Sequence, residues 1–389
     1  MPWSSRGSER RIVAVAALAP VWLVLAVVVS LAGAAPVRAE VVENAAGTYD
    51  TLVLRDLGGR QAALVSIAAS GGVFTPNEVW RSAPGGFDVR KAKFVAGDVN
   101  GDGFADGIVL YDLGRARSRL YVYLSNGQTA VRTTAWTSKV GAFAWGRAKL
   151  AVGDLNRDGR DDLIALYDRG KSSAALYRFI SKGSTFAKST GWTAKAGTFS
   201  CVRAQLAAGD FTGDGRDDAV VLYRSTTTSS RLFVFATSGS KLVKTTFWRG
   251  SYSAGRARLA AGDADSDGKT DVICLYRKPD GTGRLDVFRS TGRAFRRGVW
   301  YDGAGGPLPA TTCRFAAGDV TGDGRADALI AQPTSDVTSS LTTCVSTGAA
   351  FEPRSGGRAT GSTRPSGLPS PRLTAWSWRT APRCSTAAR

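Results

Sequence analysis

Residues 98–106 read DVNGDGFAD, and the same nine-residue pattern returns as DLNRDGRDD at 154–162, DFTGDGRDD at 210–218, DADSDGKTD at 263–271 and DVTGDGRAD at 319–327. Their first aspartates stand 56, 56, 53 and 56 residues apart. A period near 55 residues is too long for the coils of a nonapeptide β-helix and lies where propeller blades and similar arrays fall. The chain is therefore read as a repeat protein.

Oxygen-bearing side chains occupy positions 1, 3, 5 and 9 of every loop. They are Asp98, Asn100, Asp102 and Asp106; Asp154, Asn156, Asp158 and Asp162; Asp210, Thr212, Asp214 and Asp218; Asp263, Asp265, Asp267 and Asp271; and Asp319, Thr321, Asp323 and Asp327. Position 6 is always glycine. A hard cation such as Ca²⁺ takes about six to eight oxygens, and a glycine permits the sharp bend that gathers them. The position 7 carbonyl and water would complete the shell. Metal-free, Asx-rich turns are the plainer alternative; five loops in register favour calcium, with about five sites. The two loops with threonine at position 3 should bind more weakly than the all-aspartate loop from Asp263. An EF-hand is excluded, because position 12 is Val109, Ala165, Val221, Cys274 or Ile330 where a bidentate Glu is needed. At millimolar calcium, a site with Kd of roughly 10⁻⁴–10⁻³ M stabilises the fold by about 0.4–1.4 kcal/mol. The metal is read as a folding cofactor.

Around each loop the chain reads as four short strands, in the second repeat AKFVAGD, DGIVLYD, RLYVYLS and AVRTTAW. Several carry apolar residues on both faces and must be covered on both sides, as radially stacked propeller blades are. The loop followed by an apolar strand, with one tryptophan per repeat, resembles the secreted β-propellers built of FG-GAP or VCBS-type repeats, relatives of the integrin α-chain head. The resemblance spans about residues 47–352 and implies an all-β propeller with calcium-binding hairpin loops. For activity it implies less, since that family includes adhesion heads, lectins and modules attached to enzymes. The FG and GAP signatures themselves are absent; the segment before the loop reads GRAKLAVGD or GRARLAAGD.

Residues 49–58, YDTLVLRDLG, align with 105–114, ADGIVLYDLG, so an earlier unit begins without its loop or first strand. Five loops and this unit predict six blades of four antiparallel strands within residues 40–352. A closing strand from the C-terminus is expected to complete the first blade, with RLTAWSWRT at 372–380 the candidate. Residues 1–39 read as an export signal: Arg10 and Arg11, an apolar run, and a small-x-small site ending at Ala39. An uncleaved N-terminal membrane anchor is the alternative; a cleaved signal leaves no span. The basic Pro/Ser/Gly-rich stretch 353–389 is expected to be largely disordered. Cys274 takes a buried strand position, and Cys313 could pair with Cys344 across the last unit.

Net charge is +19, and half of the 32 acidic residues sit at the proposed ligand positions. A calcium-loaded protein would meet partners as a polycation. An anionic extracellular glycan or surface protein is the expected partner rather than nucleic acid, with oligomeric state open. Trp80, Trp136, Trp192, Trp248 and Trp300 recur once per repeat and suit either sugar stacking or wedging between blades. Cations seven and five residues before each loop, such as Lys93 and Lys149, would ring a central channel or pair with loop aspartates. Histidine is absent, which removes Ser/His/Asp and Cys/His nucleophile systems and histidine-held zinc. The sequence therefore reads as a secreted, calcium-binding, non-enzymatic module for carbohydrate binding or cell adhesion. A calcium-dependent polysaccharide lyase or hydrolase on the same scaffold is the alternative, and it would break the repeat symmetry with one unmatched polar cluster.

Overall fold

Ile108, Val109 and Leu110 are consecutive and all buried. Successive strand residues point to opposite faces, so such a run is buried only when both faces of the sheet are covered. The computed structural model meets that demand with six antiparallel sheets, four strands each in sequence order, two of them extended by a short additional strand. It describes residues 37–43, 49–70, 73–303, 308–310, 313–333, 338–355 and 359–360.

Blade 2 shows the pattern: innermost strand Ala92–Gly97, second strand Asp106–Gly114, third Arg117–Ser125 and outermost Ala130–Thr137. The other innermost strands are Val37–Glu43, Ala148–Gly153, Ala204–Gly209, Ala257–Gly262 and Arg314–Gly318. They touch their neighbours in order, and the last also touches the first, which closes the wheel. Closure leaves short, protected edges in place of long open ones.

The first blade departs from the sequence reading, which left it without an innermost strand. Val37–Glu43 fills that place, pairing antiparallel with Tyr49–Gly58. The candidate closing strand at 372–380 lies outside the described residues. So does the proposed leader, except for Val37, Arg38 and Ala39, which belong to this strand. Among the described residues no helix is long and apolar enough to cross a membrane.

Five hydrophobic clusters among the described residues each join two neighbouring blades, so the cores lie between sheets. Phe199, for example, is 2% exposed between blades 3 and 4. Burying such a side chain contributes about 1.5–3 kcal/mol. Cys274 is a core residue as expected, whereas Cys313 and Cys344 are both buried as free thiols and form no disulfide.

Candidate functional site

Each nine-residue loop joins the innermost strand of a blade to its second strand. The glycine at position 6 has φ between +76° and +86° in all five loops, a region open to glycine at little cost. Around this turn the first aspartate acts as a cap. Asp98 Oδ1 accepts from the Gly101 and Asp102 amides at 2.7 and 3.2 Å, and Oδ2 from Gly103 at 2.8 Å.

Position 9 does something the spacing did not show. Asp106 is fully buried, accepting from the Val99 amide at 3.1 Å and from Ser125, at the end of the third strand, at 2.8 Å. Asp162, Asp271 and Asp327 repeat both bonds. This carboxylate thus clasps loop and hairpin together. Burial outweighs the donated amides and pushes these carboxyls up, to about 7 in Asp106, Asp218 and Asp271 and about 6 in Asp162 and Asp327.

The loops differ at positions 3 and 5. Asp263, Asp265 and Asp267 bring one carboxylate oxygen each within 4.8 Å of one another, the one such acidic group among the described residues. In the first loop the Asn100 amide donates to Asp102 at 2.8 Å, and in the second Asn156 donates to Asp158 at 3.1 Å. Thr212 and Thr321 turn their hydroxyls to Asp210 and Asp319 at 3.5 and 3.4 Å.

Two buried oxygens test whether a cation fits. Asp218 Oδ2 and Asp265 Oδ1 are both buried and lack a well-formed hydrogen bond, with only the Thr212 hydroxyl and the Asp267 amide nearby. An unsatisfied buried carboxylate oxygen is costly, and a cation satisfies it directly. The donor set, all oxygen, is also the one calcium prefers. Position 7 holds a competitor that the spacing argument passed over: Lys269 contacts Asp267 at 3.1 Å, Arg216 contacts Asp214 at 3.5 Å and Arg325 contacts Asp323 at 2.5 Å, while Arg160 pairs with Asp158. A basic residue at this position in four of five loops was the available signal.

The loops are also tied to one another. The position 8 amide of each later loop donates to the position 1 carbonyl of the loop before it: Asp161 to Asp98 at 2.6 Å, Asp217 to Asp154 at 2.8 Å, Thr270 to Asp210 at 2.8 Å and Ala326 to Asp263 at 2.7 Å. The hydroxyls of Ser181, Ser290 and Ser346 add bonds of 2.5–2.6 Å to the position 2 carbonyls of Val99, Phe211 and Ala264. This explains the glycine before each of the first four loops. A Cβ on Gly153 would lie 2.3 Å from Asp217 Oδ2, and one on Gly262 would lie 2.5 Å from the Ala326 Cβ.

Two of the inner-strand cations reach across to the next blade. Lys93 and Lys149 donate to the carbonyls of Ala148 and Ala204 in the next blade, and Gln205 does the same to Ala257 at 2.9 Å. They staple neighbouring blades. Burial lowers the Lys149 pKa, in keeping with that position.

Trp80, Trp136, Trp192 and Trp248 are half-buried and share one register, each facing a leucine of its own third strand: Leu64, Leu120, Leu176 and Leu232. Each ring meets an aromatic side chain of the next blade edge to face, as Trp192 meets Phe235 at 4.9 Å and Trp136 meets Phe179 at 5.1 Å. Such pairs contribute about 0.5–1.5 kcal/mol beyond burial. Trp300 breaks the series. Tyr301 takes the register position opposite Leu285, and Trp300 falls in the bulge, 7% exposed, with its ring 5.4 Å from Phe351. Trp300, Tyr301, Phe351 and Glu352 line an open groove of about 450 Å³ between blades 5 and 6.

Blade 5 carries a charged departure in these clefts. Where blades 2 to 4 have Tyr121, Tyr177 and Phe233, it has the fully buried Asp286, held by Arg284 at 3.2 Å and Arg297 at 2.9 Å. All the carboxylate's charge is engaged by guanidinium groups, which leaves no open acid–base pair.

The FG-GAP-like repeat family matches this chain over four overlapping stretches, residues 98–165, 154–221, 210–274 and 263–330. No curated protein gives a match. Among solved structures, an Agrocybe aegerita lectin specific for non-reducing terminal N-acetylglucosamine aligns at 17% identity over 82% of this chain and 80% of its own, with a TM-score of 0.56. The six-bladed fucose-recognising lectin of Aleuria aurantia aligns at 14% identity over 86% and 98%, with a TM-score of 0.54. AofleA of Arthrobotrys oligospora gives 11%, 87%, 92% and 0.52 in the same measures. At these identities the likeness establishes the six-bladed fold, and function has to be argued from sites.

Proposed function

The chain belongs to the FG-GAP-like repeat proteins, and from that membership we propose that it is a calcium-stabilised propeller that binds carbohydrate outside the cytosol without transforming it. One observation carries the binding reading: the same inter-blade cleft recurs in successive blades, with a half-buried tryptophan edge-on to the next blade. Repeated equivalent clefts suit multivalent binding, in which weak contacts add through effective concentration. The lectin propellers of like fold bind terminal N-acetylglucosamine or fucose, which supports a glycan as the ligand class.

Calcium is supported by the five loops and by two buried oxygens that lack a well-formed hydrogen bond, Asp218 Oδ2 and Asp265 Oδ1. Held there, the ion would neutralise carboxylates that otherwise repel one another. Its role is to stabilise the loops that link the blades, and modules of this affinity class work at extracellular calcium levels. A catalytic reading finds no support in Asp286, whose two oxygens are tied to arginines.

A glycan array probed with calcium and again with chelator tests the proposal. Binding that disappears with chelator and weakens in Trp192→Ala, in a variant whose melting curve stays cooperative, supports it. Release of product from a polysaccharide overturns it.

A further inference from the structure

The outermost strands of blades 2 to 5 are AVRTTAWT, FAKSTGWT, KLVKTTFWRGS and FRRGVWY, and none contains an acidic residue. Those of the flanking blades do: Val73–Arg81 carries Glu78, and Phe351–Ser355 carries Glu352. Within the four basic strands one position is always a cation. Arg132, Lys188, Lys244 and Arg297 stand opposite Tyr123, Phe179, Phe235 and Phe288 of their third strands. Pro76 and Pro353 hold the same register in blades 1 and 6.

These four cations share an environment. Lys188 Nζ lies 3.6 Å from the centre of the Tyr177 ring and Lys244 Nζ 3.9 Å from that of Phe233. Arg132 lies 5.0 Å from Tyr121, and Arg297 5.0 Å from Tyr252. Resting on an aromatic face fixes a long side chain without consuming its hydrogen-bond donors. The cation also covers the face on which a sugar or nucleobase would otherwise stack. Each cleft therefore offers oriented positive charge in place of a bare aromatic platform.

We propose that the perimeter of blades 2 to 5 is a continuous track for a linear acidic polysaccharide, whose carboxylate or sulfate groups are taken by Arg132, Lys188, Lys244 and Arg297 in turn. This deepens the glycan-binding reading above and rests on it. Nucleic acid is disfavoured because single-strand binding draws on stacking platforms that are capped here. Arg297, already paired with Asp286, is the weakest member.

The test uses the full, calcium-loaded protein with dextran sulfate, polygalacturonate, neutral dextran and an oligothymidylate of matched charge, each titrated across salt concentrations. Dextran sulfate or polygalacturonate binding steeply dependent on salt is expected, and which of the two is tighter identifies the anionic group. Lys188→Gln with Lys244→Gln should weaken it about tenfold or more at 0.15 M salt and lower the salt slope by roughly 1.4–1.8, since each phosphate-type contact contributes about 0.7–0.9. The control pair Lys139→Gln with Lys195→Gln removes the same charge from exposed sites off the track and should change the slope little. Equal losses in both pairs, or no loss in either because the arginine-rich residues beyond 360 do the binding, overturns the track. Equal affinity for oligothymidylate overturns the ligand class. Array binding of neutral glycans alone, indifferent to the lysine pair, sinks this inference and leaves the glycan-binding function standing; no glycan binding of either kind removes both.

Discussion

The hairpin loops near the hub and the outermost strands at the rim repeat with one period yet are built on opposite terms. In a loop, nearly every polar atom is committed. Asp98 caps its turn, Asp106 clasps a hairpin, and the Asp161 amide bonds the loop before it. At the rim, Lys188 and Lys244 are exposed and make aromatic contacts while no ion pair holds them. The difference teaches where a repeat protein keeps its stability and where it is free to carry recognition.

Removing calcium should produce the largest effect on that contrast. If five sites act independently at millimolar calcium, chelation costs a few kcal/mol in total, read as a fall in melting temperature by calorimetry. A melting temperature indifferent to chelator would reduce the loops to metal-free turns. Next comes Asp271→Ala, which orphans the buried amides of Ala264 and Ser290. It should cost about 2–6 kcal/mol in denaturant unfolding, at about 1–3 per unsatisfied group. Gly262→Ala follows, at about 1–3 kcal/mol, because the Ala326 Cβ stands 2.5 Å from the added carbon and cannot swing aside.

A pH series sharpens the comparison in the chelated protein. The position 9 carboxyls, with Asp161 and Asp217, are pushed up by burial to about 6–7, above the unfolded range near 4. Between those values the folded state binds more protons than the unfolded one, so stability falls as pH rises from about 4 through 7. Melting temperature in chelator should therefore be higher at pH 5.5 than at pH 8, and added calcium should flatten the slope. The smallest effect is Lys188→Gln at the rim, within about 0.5 kcal/mol. A larger loss there would mean the rim is structural after all.

Much of this was legible in the sequence, and the failures have physical causes. The aspartate spacing led to six blades because each loop must recur where a strand pair begins. Trp300 was misplaced because it was matched by residue type: Trp136, Trp192 and Trp248 stand 38 residues after the first aspartate of their loops, and Tyr301 holds that place after Asp263. The bulge recurs at one place in blades 1 to 5, so in blade 5 Trp300, one residue early, falls into it. Val37–Glu43 went unread as a strand because it abuts the apolar leader-like run. Lys93 and Lys149 looked like channel cations because their partners are backbone carbonyls, which composition cannot show. The serine 19 residues after each of Asp106, Asp162, Asp271 and Asp327 was visible, with Thr237 after Asp218, but only the fold explains why it recurs.

Among the described residues, the loop-to-loop bonds couple blades 2 to 6 in sequence. Under tension applied through the two ends of the chain, the load falls on the joint between blades 6 and 1, the first and last blades in chain order. It is the mechanical fuse of the ring: the wheel should yield there first, and the remaining blades should stay coupled as one arc that can snap shut again when the force is released.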